Sequence, residues 1–294
     1  ERVMPGANYV ASIRDFWRVY SGVNPESAEL CREFLSNVLN VKEYPLTQLD
    51  NTNASELAKT MENTYRAVNI ALTLEWARYA EQIGVDLFKV REAIRKRKGT
   101  HDNMCRPSLG VGGYCLTKDP VLANWAMQTL FEINDFLEMA IRSVNINDTM
   151  PLHTIDIIKK EIPALRDVKV AVLGVSYLEN VADTRHSPSK TLVEFLRKEF
   201  ALVYTHDPYV EVWPELEDAK VEKDLNSVLP QADVVIFAVG HNQYKHLDPA
   251  EVVAMCQGTK PLIVDCSNFL TDEVINKYKQ LGCKVRGVGK GHII

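Results

Sequence analysis

The chain has 294 residues, of which 46% are hydrophobic and 25% are charged, and its formal net charge is −5. This length accommodates two domains, and the composition is that of a soluble globular protein. The charge argues against nucleic-acid binding through an overall basic surface, and no apolar run approaches the roughly 20 residues that span a bilayer. The six cysteines form no C-x-x-C pair and no zinc-ligand pattern. We therefore predict no metal site, no membrane segment and a reduced, cytoplasmic setting.

The first part of the chain is predicted to be mostly helical. Residues 18–22 are typical of a short strand, and Asn24 followed by Pro25 predicts the start of an amphipathic helix that extends to Leu39. Residues 86–98 predict another helix, and its basic last turn complements the helix dipole. Two further helices are predicted over 119–149 and 152–162.

The longest periodic segment covers residues 54–83, which contain no glycine or proline. Its apolar positions cover more than one stripe, so we expect burial on several sides, as in the spine of a helical domain or in a dimer core. Lys59, Asn63 and Arg66 are spaced i, i+4 and i+7 and share one polar face. Such a row is most often a solvated surface, and an active-site face is the alternative.

The stretch from Gly110 to Pro120 combines three glycines in four positions with a cysteine, a lysine and an aspartate. A thiol near a cation or a helix N-terminus loses its proton more readily, and the thiolate is the reactive form. We therefore consider Cys115 a candidate nucleophile, although a free cysteine is more often a buried structural residue. Asp119-Pro120 predicts the start of a helix, which would place Cys115 in the preceding turn.

Beyond residue 160 the pattern changes to short apolar strands that alternate with helices. This alternation predicts a doubly wound parallel sheet, in which ligands bind at the carboxyl ends of the strands. The first strand lacks G-x-G-x-x-G, so a usual dinucleotide site is not expected there. We predict two domains, residues 1–160 and 161–294. The predicted strands are 168–174, 201–204, 233–239, 261–265 and 284–288, and the predicted helices are 189–199, 224–230, 249–256 and 272–281.

Nearly the whole chain resembles the nucleotide-sugar 6-dehydrogenases, which include the UDP-glucose and UDP-N-acetylhexosamine dehydrogenases. The resemblance rests on residues 55–63, on the cysteine stretch 110–119 and on Asp183-Thr184-Arg185-His186-Ser187-Pro188. It implies an α/β fold with a helical central dimerisation domain built on helix 54–83, followed by a Rossmann-like nucleotide-binding domain. The family's N-terminal NAD-binding Rossmann domain is expected to be absent from this chain, which alone would then be inactive.

The resemblance also implies the roles of individual residues. Cys115 matches the nucleophile, Lys59 and Asn63 match groups that contact the reacting carbon, and Asp119 and Glu1 match acids that assist the water. Lys118 is expected to contact the cofactor, NAD. The residues expected to bind the nucleotide-sugar substrate are Arg66, Arg106, Gly110, Gly112, Gly113, Tyr177 and Arg185.

The substrate and the activity have alternatives. Glu1–Gly6 and residues 62–70 resemble the UDP-N-acetylhexosamine enzymes, which favours N-acetylmannosamine, whereas the cysteine stretch resembles the UDP-glucose enzymes. Tyr177-Leu178 and Ser267-Asn268 stand where the family usually carries a cation in the nucleotide pocket. That loss favours a second hypothesis, a non-catalytic nucleotide-sugar-binding dimer. A β-hydroxyacid dehydrogenase relative would explain the cysteine poorly. The expected protein partner is a second copy of the chain, bound through helix 54–83.

Overall fold

Helices dominate the first part of the chain and a parallel sheet dominates the second, in a computed structural model that describes residues 3, 6 and 8–293. The predicted α/β class is confirmed. Two short strands near the start, β1 (Val19–Tyr20) and β2 (Thr47–Gln48), pair in parallel. The helices of this part are α1 (Tyr9–Arg14), α2 (Pro25–Val38), α3 (Thr52–Gln82), α4 (Leu87–Arg95), α5 (Tyr114–Thr129) and α6 (Glu138–Glu161).

Asparagine side chains start two of these helices. Asn24 accepts a hydrogen bond from the backbone N–H of Ser27 at 2.8 Å, which confirms the predicted start of α2. Helix α3 begins two residues earlier than predicted, because Asn51 accepts from the N–H of Ala54 at 3.0 Å and serves as its N-cap. Each of these bonds satisfies a donor of the first turn that has no partner inside the helix.

The predicted helix boundaries near two prolines are wrong. Helix α5 already begins at Tyr114, so Pro120 lies inside it and Cys115 belongs to its first turn. Helix α6 runs through Pro151 without interruption, and the break falls at residues 130–137 instead. A proline inside a helix leaves one carbonyl without a donor. At Pro151 that carbonyl belongs to Asn147, and the cysteine stretch packs closely against it at Gly110.

Helix α3 has 31 residues and is buried on one side only in the single chain. Ala67, Leu74 and Ala77 are fully buried, so the expectation of burial on several sides is wrong for the chain alone. A second apolar row is 47–68% exposed, with members three, four or seven residues apart along the helix. This row, the exposed row of α3, consists of Leu57, Met61, Tyr65, Leu72, Trp76, Tyr79 and Ile83.

The second part of the chain is a six-stranded sheet in which all paired strands are parallel, in the order β5-β4-β3-β6-β7-β8. Five strands match predicted ones, whereas β5 and the short helix α8 were not predicted, and residues 225–227 form a 3-10 turn inside predicted helix 224–230. The strands are β3 (Lys169–Leu173), β4 (Leu202–His206), β5 (Val221–Glu222), β6 (Val234–Phe237), β7 (Leu262–Asp265) and β8 (Val285–Gly287). The helices are α7 (Pro188–Lys198), α8 (Asn242–Lys245), α9 (Pro249–Met255) and α10 (Asp272–Gln280).

The two faces of the sheet bury different sets of side chains. In β3, Val170 and Val172 join a core that extends to α3, α6 and α7, whereas Ala171 and Leu173 join a core with α9 and α10. This alternation is the two-residue period of a strand that is covered on both faces. The shared core places the helical part directly against one face of the sheet.

The strand order brings the loops after β3 and β6 together. Strands β4 and β5 follow β3 on one side of it, and the next strand in the chain, β6, pairs with β3 on the other side. Open parallel sheets bind ligands at the carboxyl ends of the strands at such a reversal point. The fold therefore points to the loops that begin at Gly174 and Ala238. None of the described helices is both long and apolar enough to cross a lipid bilayer.

Candidate active site

A cleft of about 530 Å³ opens between the helical part and the reversal point of the sheet. Its walls come mainly from one face of α3, the cysteine stretch with the residues just before it, and the strand ends. The lining residues include Arg66, Arg106, Gly110, Gly112, Gly113, Cys115, Tyr177 and Glu179. Most of the sequence-predicted substrate residues therefore come together in this one cleft.

Cys115 lies at the second position of α5, and its side chain is exposed in the cleft. The first turn of a helix presents unpaired N–H groups and the positive end of the helix dipole, and both favour negative charge on a nearby sulfur. The thiol is therefore accessible to a ligand in the cleft.

Asp119 lies one helical turn after Cys115 and is 4% exposed. Asn63 donates from Nδ2 to Asp119 Oδ2 at 2.6 Å, and Lys59 Nζ lies 3.9 Å from the same oxygen. Lys118 Nζ lies 3.2 Å from the other oxygen, Oδ1. The buried carboxylate is thus paired by two cations and one amide, as burial of a charge requires. Helix α3 supplies two of these partners, so the polar face noted in the sequence is directed towards the helix that carries the cysteine.

Glycines allow the cysteine stretch to lie against the loop after β3. A Cβ on Gly112 would come within 2.6 Å of Tyr177 Cβ, so any other residue would force the two loops apart. Gly113 is the N-cap of α5 with φ of 77°, a conformation that side chains rarely adopt. Burial and the Asp183 carboxylate raise the pKa of Tyr177, so its phenol stays protonated near neutral pH. Tyr177 therefore forms a neutral wall beside Cys115.

Arg185 holds the start of α5 and is not among the described residues that line the cleft. Its Nε donates to Asp183 Oδ1 at 2.8 Å, and its guanidinium lies 4.9 Å from the centre of the Tyr114 ring. Its carbonyl accepts from the N–H of Gly113 at 3.0 Å. The motif that contains Arg185 thus contacts the cysteine stretch directly.

The described residues that line this cleft also do not include four other predicted site residues, namely Lys59, Asn63, Lys118 and Asp119. Lys118 lines a different cleft of about 600 Å³ on the far side of the cysteine stretch. Glu1 lies outside the described residues, and its predicted role stays a prediction.

A buried network that the sequence did not reveal fixes the loop after β3. Asp207, at the end of β4, accepts from the N–H groups of Val175 and Ser176 and from His241 Nε2. His241 Nδ1 accepts from the N–H of Asn180 at 2.9 Å, so its proton is on Nε2. Burial alone would raise the pKa of Asp207, but the His241 ring and the backbone donors lower it overall. Asp207 and His241 both follow strand ends, where ligands bind in such folds, but here they position the loop.

We expect Cys115 to be the thiol that iodoacetamide modifies first near neutral pH. Cys31 and Cys105 are half-buried, and burial raises the pKa of Cys256 to about 11 and also raises the pKa values of Cys266 and Cys283. Only thiolates react readily, so the buried thiols should remain unmodified while the chain is folded.

Peptide mapping after short exposures would give the order of modification, and the urea-unfolded chain, in which all six thiols should react, is the control. Modification of Cys31 as fast as that of Cys115 would contradict an activated thiol.

Comparison with known proteins gives the same two parts. The central-domain model of the UDP-glucose/GDP-mannose dehydrogenase family matches residues 53–148, and the model of that family's UDP-binding domain matches residues 171–272. Helix α3 and the cysteine stretch fall in the first match, and most of the sheet falls in the second.

Similar proteins include a UDP-N-acetyl-D-mannosamine dehydrogenase of Methanocaldococcus jannaschii, 32% identical over 99% of this chain. The chain spans 63% of the length of that relative. The structure of an NDP-N-acetyl-D-galactosaminuronic acid dehydrogenase from Methanosarcina mazei matches all of this chain and 62% of its own, with a TM-score of 0.87 and 28% identity. That of a UDP-D-ManNAc dehydrogenase from Pyrococcus horikoshii matches 99% of this chain and 64% of its own, with a TM-score of 0.83 and 27% identity. The chain belongs to the UDP-glucose/GDP-mannose dehydrogenase family, of which it contains the central domain and the UDP-binding domain.

Proposed function

We propose that this chain is the substrate-binding and catalytic-cysteine part of an NAD-dependent UDP-sugar 6-dehydrogenase. The enzyme would oxidise the primary alcohol of UDP-N-acetyl-D-mannosamine to the carboxylate. The observation that carries the proposal is the position of Cys115 in a cleft at the reversal point of the sheet, one helical turn from Asp119, which Lys59 and Asn63 contact. The relatives named as UDP-N-acetyl-D-mannosamine dehydrogenases support the choice of sugar.

Each side chain suits one chemical task. The Cys115 thiolate adds to the aldehyde carbon formed by the first oxidation, which gives a thiohemiacetal, and the second oxidation converts this adduct into a thioester. Lys59 and Asn63 donate towards the substrate oxygen where negative charge develops. Asp119 accepts a proton from the water that attacks the thioester, and the thiolate then leaves as the acid forms. NAD, when bound, supplies the acceptor for one hydride in each of the two oxidations.

The described residues do not fit a dinucleotide in the six-stranded sheet. The loop after β3 lacks G-x-G-x-x-G, and the Tyr177 side chain fills the space in front of Gly112 and Gly113. We therefore propose that NAD binds outside this sheet and that the chain alone does not turn over. Lys118 remains a proposed contact of the cofactor.

The identity of the sugar is tested by turnover of the native protein with UDP-N-acetylmannosamine, UDP-N-acetylglucosamine and UDP-glucose side by side. The proposal expects UDP-N-acetylmannosamine to give the highest kcat/KM. Preference for UDP-glucose would favour the alternative enzyme. Tight UDP binding without turnover of any of these sugars would favour a non-catalytic nucleotide-sugar-binding dimer.

We also propose a homodimer that forms through the exposed row of α3, whose residues were given above. At about 1.5 Å per residue the row runs for roughly 40 Å along the helix, which is enough to pack against the same row of a second copy. Contiguous apolar surface of this extent marks an interface in most proteins. We further propose that the boundary between the two domains lies between residues 160 and 161, and that the protein is cytoplasmic.

Charge in the middle of this row should separate the subunits. We expect the double variant Leu72→Glu, Trp76→Glu to sediment as a monomer at concentrations where the parent chain is a dimer, because the carboxylates would be buried without partners. Glu75→Gln changes an exposed neighbour on the same helix and is the control. Sedimentation velocity gives the answer, and a double variant that stays dimeric would place the interface elsewhere.

A further inference from the structure

The wall of the cleft contains a carboxylate that two cations hold from opposite sides. Arg106 Nη2 lies 2.5 Å from Glu179 Oε1, and Lys245 Nζ lies 3.2 Å from Glu179 Oε2. The three residues come from different segments: the irregular segment that precedes the cysteine stretch, the loop after β3 and helix α8. Arg106 and Glu179 both line the cleft. The Glu179 carboxylate therefore lies between two cations at the reversal point of the sheet, where ligands of such folds bind.

The backbone around Glu179 is fixed, but its side chain is not. The carbonyl of Leu178 accepts from Ser176 Oγ at 2.8 Å, and the N–H of Asn180 donates to His241. The carboxylate lies close to the backbone of Gly240, where an added Cβ would be 3.2 Å from Oε1. The Glu179 side chain is 25% exposed. Because the backbone is held by these bonds, displacement of the carboxylate would require rotation of the side chain and not movement of the loop.

The balance of charge favours exchange with a stronger anion. The two cations carry one more positive charge than Glu179 neutralises, and partly exposed ion pairs of this kind contribute little to stability. A diphosphate carries more negative charge than a carboxylate and offers more acceptor oxygens to a guanidinium, so it competes well for the same donors. A diphosphate bound at this position would accept hydrogen bonds from both Arg106 and Lys245. The neighbouring Tyr177-Leu178 wall of the cleft is uncharged and offers no competing cation.

We propose that Arg106 and Lys245 form the diphosphate subsite of the cleft and that Glu179 occupies this subsite until the nucleotide displaces it. The inference rests on the proposed function, because it takes a nucleoside-diphosphate sugar as the ligand of this cleft. Glu179 then competes with the ligand's phosphate groups for both cations. The competition weakens binding most for a diphosphate, which has to displace the carboxylate from both, and it does not affect a ligand without phosphate.

Calorimetric titration of Glu179→Gln with UDP, UMP and uridine tests the proposal. Removal of the competing charge should tighten UDP binding by about 5- to 10-fold, which corresponds to the loss of one exposed ion pair. The affinity for UMP should increase less and that for uridine should not change. Added salt should abolish most of the gain. Glu179→Ala also removes the carboxylate, and should tighten UDP binding similarly.

Two controls separate this mechanism from others. Glu199→Gln removes the same charge from a remote ion pair with Lys159 and should leave UDP binding unchanged. Adding Arg106→Gln to Glu179→Gln should remove the gain. If the parent chain binds UDP but Glu179→Gln does not bind it more tightly, or if uridine gains as much as UDP, the inference is wrong while the proposed function stands. If neither the parent chain nor the variants bind UDP or a UDP-sugar, the proposed function fails and the inference fails with it.

Discussion

Replacement of Cys115 by serine is expected to lower turnover of the native enzyme on the order of 10⁴-fold or more. Serine keeps the size and the position at the start of α5, but its hydroxyl is a far weaker nucleophile and a poorer leaving group than a thiolate. Binding of UDP should change by less than about threefold, because the nucleotide contacts other walls of the cleft. Steady-state kinetics and calorimetry measure the two quantities separately.

Cys31→Ser is the matched control, because Cys31 lies in α2, outside the cleft. Its turnover should equal that of the parent enzyme. Full activity of the Cys115→Ser enzyme would exclude the thioester route. If the Cys115→Ser enzyme lost both UDP binding and turnover, Cys115 would be needed for the shape of the cleft.

Replacement of Lys290 by methionine is expected to lower the free energy of unfolding by about 3–5 kcal/mol, because it leaves a buried charge without its partner. Lys290 Nζ lies 3.0 Å from Asp265 Oδ2 and donates to the carbonyl of Leu270 at 2.7 Å. The two charged side chains are 3% and 0% exposed. Asp265 ends strand β7, so its carboxylate cannot reach water unless the end of the sheet opens.

An exposed lysine just before strand β8 provides the control. Lys284 pairs with Glu161 at 2.7 Å but is 66% exposed, so Lys284→Met should cost less than about 1 kcal/mol. Urea unfolding of the chain measures both values. Asp265→Asn combined with Lys290→Met should recover part of the loss, since no charge then remains buried. Equal losses for the two single variants would show that the buried pair contributes no more than a surface pair.

The sheet could be predicted because its strands carry their own signal. Buried strands such as β3 and β6 appear as continuous apolar runs, and the alternation with helices requires parallel connections. The polar face of α3 was also visible, since Lys59 and Asn63 are one turn apart. Their contact with Asp119 was not predicted, because 56 residues separate Asn63 from Asp119.

The errors arise where tertiary contacts override local rules. Pro120 and Pro151 are strong signals for helix starts, yet both lie inside helices. At Pro151 the cysteine stretch packs against the freed carbonyl of Asn147. Strand β5 has two residues and follows no apolar run, so its pattern is too short to detect. Glu179 and Lys245 carry no motif, and only the folded loops bring their charges beside Arg106. The exposed row of α3 was correctly seen as apolar, but a single chain has nothing to cover it.

The proposed oxidation of the sugar alcohol to the acid is tested by counting the NADH molecules that the native protein forms for each UDP-N-acetylmannosamine consumed. We expect two, because the alcohol must lose four electrons to become the acid. One NADH per sugar would mean that oxidation stops at the aldehyde, without the proposed role for Cys115. No NADH from any of the three UDP-sugars would contradict a dehydrogenase altogether.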